Sequence, residues 1–154
     1  GVPVINISLS GPRNPVVASA VARITKRGHV IVAAAGNDGP AAPPVFPGAY
    51  EGVVGVTAVD GANRVYRYAN RGNYIDFSAR GVAVSAIDAD GALRDATGTS
   101  FAAPVIAARL AAQLRKPDAA ASQLAIRALE AQARDLGAPG RDPIFGAGLI
   151  GDTN

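Results

Sequence analysis

Residues 29–35, His29-Val30-Ile31-Val32-Ala33-Ala34-Ala35, are apolar at every position after the first. A half-buried strand alternates apolar and polar residues, whereas a parallel strand covered on both faces reads as an unbroken apolar run. The preceding segment supplies the rest of a parallel unit. Val4-Ile5-Asn6-Ile7-Ser8-Leu9 is rich in β-branched residues and bounded by Pro3 and Gly11, which predicts a strand over 4–9. Between the two, Asn14 is a suitable N-cap, Pro15 a suitable first helical residue and Gly28 a suitable stop. Val17, Ala20, Val21 and Ile24 would form that helix's buried face. Strand, helix and strand make a βαβ unit, and the fold class is α/β with a mainly parallel sheet.

The remaining chain extends this unit. Gly36-Asn37-Asp38-Gly39-Pro40 reads as a turn, Pro40, Pro43, Pro44 and Pro47 make 40–48 an irregular loop, and Val53–Val59 predicts a third strand. Over 60–97, short strands at Tyr74–Phe77 and Val82–Ile87 alternate with glycine turns, and Asp90-Gly91 signals a hairpin, so this portion is expected to be antiparallel. Helices are expected from Thr99 to Leu114 and from Ala119 to Arg134, the second announced by Pro117 and Asp118. No repeat or internal domain boundary interrupts the pattern.

At 154 residues, with 49% hydrophobic and 18% charged content, the chain is long and apolar enough for one globular domain, which excludes disorder. Aromatic residues are only 5%, so the core must be built from Ala, Val, Ile and Leu. The net charge of +3 comes from thirteen arginines against two lysines, scattered along the chain, whereas a nucleic-acid footprint would be a patch or stripe. Without cysteine there are no disulfides or thiolate metal sites, and no apolar run approaches the ~20 residues of a membrane span. The chain opens on Gly1-Val2-Pro3-Val4-Ile5 with neither a start methionine nor a signal peptide, as if already inside a domain.

The chemistry is concentrated in Gly98-Thr99-Ser100-Phe101-Ala102-Ala103-Pro104, where a serine bracketed by small residues stands at the start of an apolar helix. Free N–H groups and the positive dipole end favour negative charge there, so an oxyanion formed by attack of Ser100 would be stabilised. Pro104 removes one helical N–H, at a point where the loss can be tolerated. A serine hydroxyl needs a neighbouring base, usually histidine held by a carboxylate. His29 is the single histidine, so the chain uses His29, borrows a base, or performs no hydrolysis. A second oxyanion donor is available in the amide of Asn37, at the end of the Ala33-Ala34-Ala35-Gly36-Asn37 segment.

On these residues the chain resembles the C-terminal half of the catalytic domain of subtilisin-like serine proteases, the subtilase family (peptidase family S8). Val4–Leu9 resembles the family's substrate-binding strand, Ala33–Asn37 its oxyanion segment, and Phe46-Pro47-Gly48 its Tyr-Pro-Gly loop. Gly98–Pro104 resembles its serine motif and Phe145-Gly146-Ala147-Gly148-Leu149-Ile150 its closing Tyr-Gly-x-Gly-Leu-Ile, all in the family's order. The resemblance implies a partial three-layer α/β/α fold over 1–154, Ser100 as nucleophile, and Asn37 with the Ser100 N–H as the oxyanion hole. It also implies that Ser8, Leu9, Ser10, Ala34 and Gly36 border the pocket for the substrate side chain before the cut, with an extended peptide adding as a strand. A cis Phe46–Pro47 bond, an extracellular or cell-envelope location and no required cofactor follow from it as well. Calcium is common in the family, but no ligand cluster in this chain specifies a site.

His29 fails as the base, because about six residues at ~3.3 Å each separate it from the oxyanion segment, nearly 20 Å along its strand. Asp38, Asp60, Asp76, Asp88 and Asp95 match no catalytic position of the family and are expected to be solvated loop carboxylates. The family's aspartate and His-Gly-Thr motifs belong upstream of Gly1. The expected function is therefore a serine endopeptidase fragment, inactive without an upstream half. The alternative is a peptide-binding module of the same fold that has lost catalysis, and the coding sequence upstream discriminates the two. Without that half, the 4–9 strand should present an unpaired edge inviting homodimerisation. There are departures from the family pattern at Pro104-Val105-Ile106-Ala107-Ala108, at Ala79-Arg80-Gly81, and at Ser10, which adds a side chain beside the groove.

Overall fold

The structure, a computed structural model, describes residues 1–151. β1 (Val4–Ile7), β2 (Val30–Ala34), β3 (Val53–Val59) and β4 (Ile75–Arg80) form one sheet in that order, and every pairing is parallel. α1 (Pro15–Lys26) connects β1 to β2, and α2 (Thr99–Ala111) and α3 (Ala119–Glu130) follow a separate antiparallel pair, β5 (Val84–Ile87) and β6 (Leu93–Ala96).

Every residue of β2 and β3 is buried, as their apolar runs require. Successive side chains point to opposite faces. Val32 and Val56 pack with Ala102, Ala103 and Ile106 of α2, while Ile31, Ala33 and Val53 pack with Val21 of α1. Helices therefore cover both faces in three layers. The alanines let α2 lie close to the sheet, so a core with few aromatic residues is still closed by small and branched side chains.

Local chemistry sets the element ends. Asn14 caps α1 as expected, its side chain accepting the Val16 and Val17 N–H groups at 2.9 and 3.2 Å. The buried stripe of α1 is rotated from the expected one: Ala18, Val21 and Ile24 face the core, whereas Val17 is 43% exposed. β1 stops at Ile7, short of Leu9, because Ser8 turns toward the start of α2. α2 and α3 end at Ala111 and Glu130, before Leu114 and Arg134, and Arg134 instead exchanges backbone hydrogen bonds with Leu149.

The antiparallel expectation for 60–97 holds for the β5–β6 hairpin around Asp90-Gly91 and for a single bridge between Val59 and Val65. Residues 60–74 cross over without a helix and deliver β4 parallel to β3. The outer edge of β4 is covered by 148–150, through Ser78 N–H to Gly148 O and Ile150 N–H to Ser78 O, both 2.9 Å. β1 is the other edge, with no strand beyond it among the described residues.

Asp76 corrects a second expectation. Gly55 pairs with Ile75 and Val56 with Phe77, so Asp76 opposes no residue of β3, and its carboxylate fills the irregularity. It accepts the Gly55 N–H at 2.7 Å and a bond from Arg141. Burial pushes its pKa above the usual carboxylate range, against the downward pull of Arg141 and the Gly55 N–H. It is a structural carboxylate within a strand, not a solvated loop residue, and Asp95 likewise lies in a strand, β6.

Candidate active site

Parallel strands deliver their C-terminal ends to one edge of the sheet, where ligands of α/β folds gather. Ser8 follows β1, Gly36 and Asn37 follow β2, and Ser100 is the second residue of α2, which starts at the same edge. Thr99 joins these pieces. Its buried hydroxyl accepts the Gly36 N–H at 3.2 Å and lies 3.1 Å from Asn37 Oδ1, while its backbone N–H donates to the same Oδ1 at 3.0 Å.

That last bond fixes the orientation of the Asn37 amide. A backbone N–H can only donate, so the oxygen faces Thr99 and Nδ2 is turned away. Asn37 is exposed, and neither its Nδ2 nor the Ser100 N–H has a partner among the described residues. Two unused donors thus accompany the Ser100 hydroxyl at a helix N-terminus, where the dipole adds positive potential.

Ser100 and Ser8 hold each other. Ser100 Oγ donates to Ser8 O at 3.2 Å, and Ser8 Oγ donates to Ser100 O at 3.0 Å. Leu9, 78% exposed, and Ser10 continue from Ser8 to line an apolar crevice of about 210 Å³ with Val17, Phe46 and Pro47. Gly11 pairs with Phe46 through hydrogen bonds of 2.8 and 3.0 Å, and the Phe46–Pro47 peptide is cis, as the resemblance implied. Ala34 and Gly36 are buried on the neighbouring β2 segment.

Gly36 has φ +105°, and a Cβ there would lie 2.8 Å from Val45 and 2.9 Å from the Asn70 amide. Asn70 escaped the sequence analysis. Fully buried, it donates its N–H to Gly36 O at 3.1 Å, accepts the Asp38 N–H at 2.8 Å and donates from Nδ2 to Pro43 O at 3.2 Å. It fastens the turn carrying Asn37 from behind. Tyr74 adds a bond from its hydroxyl to Ala35 O at 2.8 Å, and burial raises its pKa, keeping the phenol a donor. Neither residue carries a local sequence pattern, since each acts on a turn more than thirty positions away.

His29 stands just before β2, at the opposite end of the strand from Asn37. Its Nδ1 lies 2.8 Å from Val2 O, an acceptor only, so Nδ1 carries a proton and ties down the start of the chain. A cavity of about 360 Å³ adjoins it, lined by Lys26, Glu51 and Gln123 among others. Although larger than the crevice beside Leu9, it is at the wrong end of the sheet to serve Ser100. Among the described residues no group of three or more His, Cys, Asp or Glu side chains is placed to hold a metal ion, and no helix is long and apolar enough to cross a membrane.

A serine thus stands at the start of a central helix, beside unused donors at the end of a parallel strand. The chain belongs to the subtilase family, whose model matches residues 1–148. It is 34% identical to minor extracellular protease Epr of Bacillus subtilis (strain 168), over 96% of this chain and 23% of that protein. Subtilisin DY of Bacillus licheniformis is also 34% identical, over 97% of this chain and 55% of the subtilisin. A solved structure described as a psychrophilic protease superimposes with a TM-score of 0.83 at 30% identity, covering 95% of this chain and 56% of that one. A lanthipeptide protease superimposes with a TM-score of 0.78 at 26% identity, covering 96% and 60%. The chain therefore spans about half the length of subtilisin DY and less than a quarter of Epr.

Proposed function

We propose that this chain carries the nucleophile and oxyanion hole of a serine endopeptidase, and that the base and its orienting carboxylate come from residues outside it. The observation that carries the reading is the placement of the Ser100 hydroxyl beside two unused donors, Asn37 Nδ2 and the Ser100 N–H, with the single histidine at the far end of the sheet. In this scheme an extended peptide lies along Ser8–Ser10, its scissile carbonyl at Ser100. The Ser100 oxygen bonds to the carbonyl carbon as the external base takes its proton, and the oxyanion receives hydrogen bonds from the two donors. Collapse breaks the C–N bond, the base returns the proton to the leaving amine, and water then hydrolyses the acyl-serine. By itself the chain would retain only slight activity.

Secretion and self-association are proposed with it. Secretion is suggested by the extracellular relative. Pairing of two copies through the open β1 edge is suggested by sheet order, and light scattering of the isolated chain should then show a dimer, whereas a strict monomer contradicts the pairing.

The catalytic reading is tested with a fluorophosphonate probe on this chain and on the full-length polypeptide containing it. Labelling of the full-length protein that is lost in Ser100→Ala, with only slow labelling of the isolated chain, is expected. Labelling of the isolated chain at the full-length rate would overturn it.

A further inference from the structure

In an α-helix the N–H of each residue bonds to the carbonyl four positions earlier. Pro104 lies four positions after Ser100 and has no N–H, so the carbonyl of the nucleophilic residue loses its intrahelical donor. The structure shows what replaces it: Ser8 Oγ donates to Ser100 O at 3.0 Å. Ser8 is only half-buried and belongs to a different segment, ninety-two positions away in sequence.

We propose that Ser8, through its hydroxyl, is a positioning residue for Ser100, and that Pro104 creates the vacancy it fills. This rests on the catalytic reading above and adds a second task to a residue whose backbone lies on the substrate-binding segment. A helical serine bonded only within its helix would be held relative to α2 alone. With its carbonyl bonded to Ser8, Ser100 is held relative to the segment on which the peptide lies, so nucleophile and substrate share one reference. The return bond, Ser100 Oγ to Ser8 O at 3.2 Å, makes the link reciprocal. A displacement of about 1 Å between reacting groups can cost up to about a hundredfold in rate, so one hydrogen bond at this junction has kinetic weight.

The test is a double-mutant cycle in the full-length enzyme. Ser8→Ala should lower kcat on the order of tenfold with KM changed little, and Ser8→Thr, which restores a hydroxyl, should recover much of the loss. In a Pro104→Ala background the new N–H satisfies the Ser100 carbonyl, and removal of the Ser8 hydroxyl should then cost less than about twofold. Equal losses from Ser8→Ala in both backgrounds would overturn the proposal. So would a loss confined to KM, or a fall in the urea midpoint with kcat unchanged. Hydrolysis that survives Ser100→Ala would instead overturn the catalytic reading and this inference with it, a result the cycle separates from failure of the Ser8–Pro104 coupling alone.

Discussion

The two ends of β2 are built with the same device and put to different use. At its start, Gly28 has φ +89° and its carbonyl accepts the Asp118 N–H at 3.1 Å and Ser122 Oγ at 2.8 Å, which ties the strand to the beginning of α3. At its far end, Gly36 has φ +105° and is tied to the beginning of α2 through Thr99. In each case a left-handed glycine meets a helix N-terminus through a hydroxyl in that helix's first turn. The difference lies one residue further on. His29 commits its Nδ1 proton to Val2 O, whereas Asn37 commits only its oxygen and leaves Nδ2 unused. Both ends are anchored, but only the Asn37 end leaves a donor unused beside a hydroxyl.

The comparison can be broken most severely at the glycines. A Cβ on Gly28 would lie 2.5 Å from backbone atoms of Asp118 and Ala119, which cannot yield without moving α3. Gly28→Ala should cost about 3 kcal/mol or more in urea unfolding, combining left-handed strain with overpacking. Gly36→Ala meets side-chain atoms of Val45 and Asn70 at 2.8–2.9 Å, which can shift in part, and should cost less, about 2 kcal/mol. The reverse order would mean that the site end is the more rigid of the two.

A gentler pair sharpens the functional half of the contrast. Thr99→Val leaves the buried Gly36 N–H without its acceptor and should cost roughly 1–3 kcal/mol; it also removes one of the two bonds on Asn37 Oδ1, leaving only the Thr99 N–H to hold the amide, so kcat of the full-length protein should fall. Ser122→Ala removes an equivalent hydroxyl at the other end for about 1 kcal/mol, and His29→Gln costs less still; neither should alter kcat. A kcat loss in Ser122→Ala or His29→Gln equal to that of Thr99→Val would erase the distinction between the ends.

How much of this was legible in the sequence follows from the range of each interaction. The unbroken run after His29, the Asn14-Pro15 helix start and the Asp90-Gly91 turn each act within a few residues, and the structure keeps all three. The direction of β4 was not legible, because the connection over 60–74 contains no helix and its glycine turns read as hairpins. Ser100 and Asn37 stood out because their motifs are local, and the strand between His29 and Asn37 placed them at opposite ends. Asn70, Tyr74 and the Ser8–Pro104 relation to Ser100 stayed hidden, since each is a bond between segments that only the folded chain brings together. Asp76 was misjudged for the same reason: its partners, Gly55 and Arg141, are on other elements.

The leftover amide of Asn37 is the centre of the proposed oxyanion hole. Asn37→Ala in the full-length protein removes that donor while Thr99 stays bonded to Gly36, and kcat for the proposed peptide hydrolysis is the quantity to measure. The expected result is a fall of about 10²–10³ in kcat with KM little changed, the size established for removing this donor in a subtilisin. An unchanged kcat, or a loss confined to KM, would show that Asn37 binds no oxyanion and would contradict the central claim.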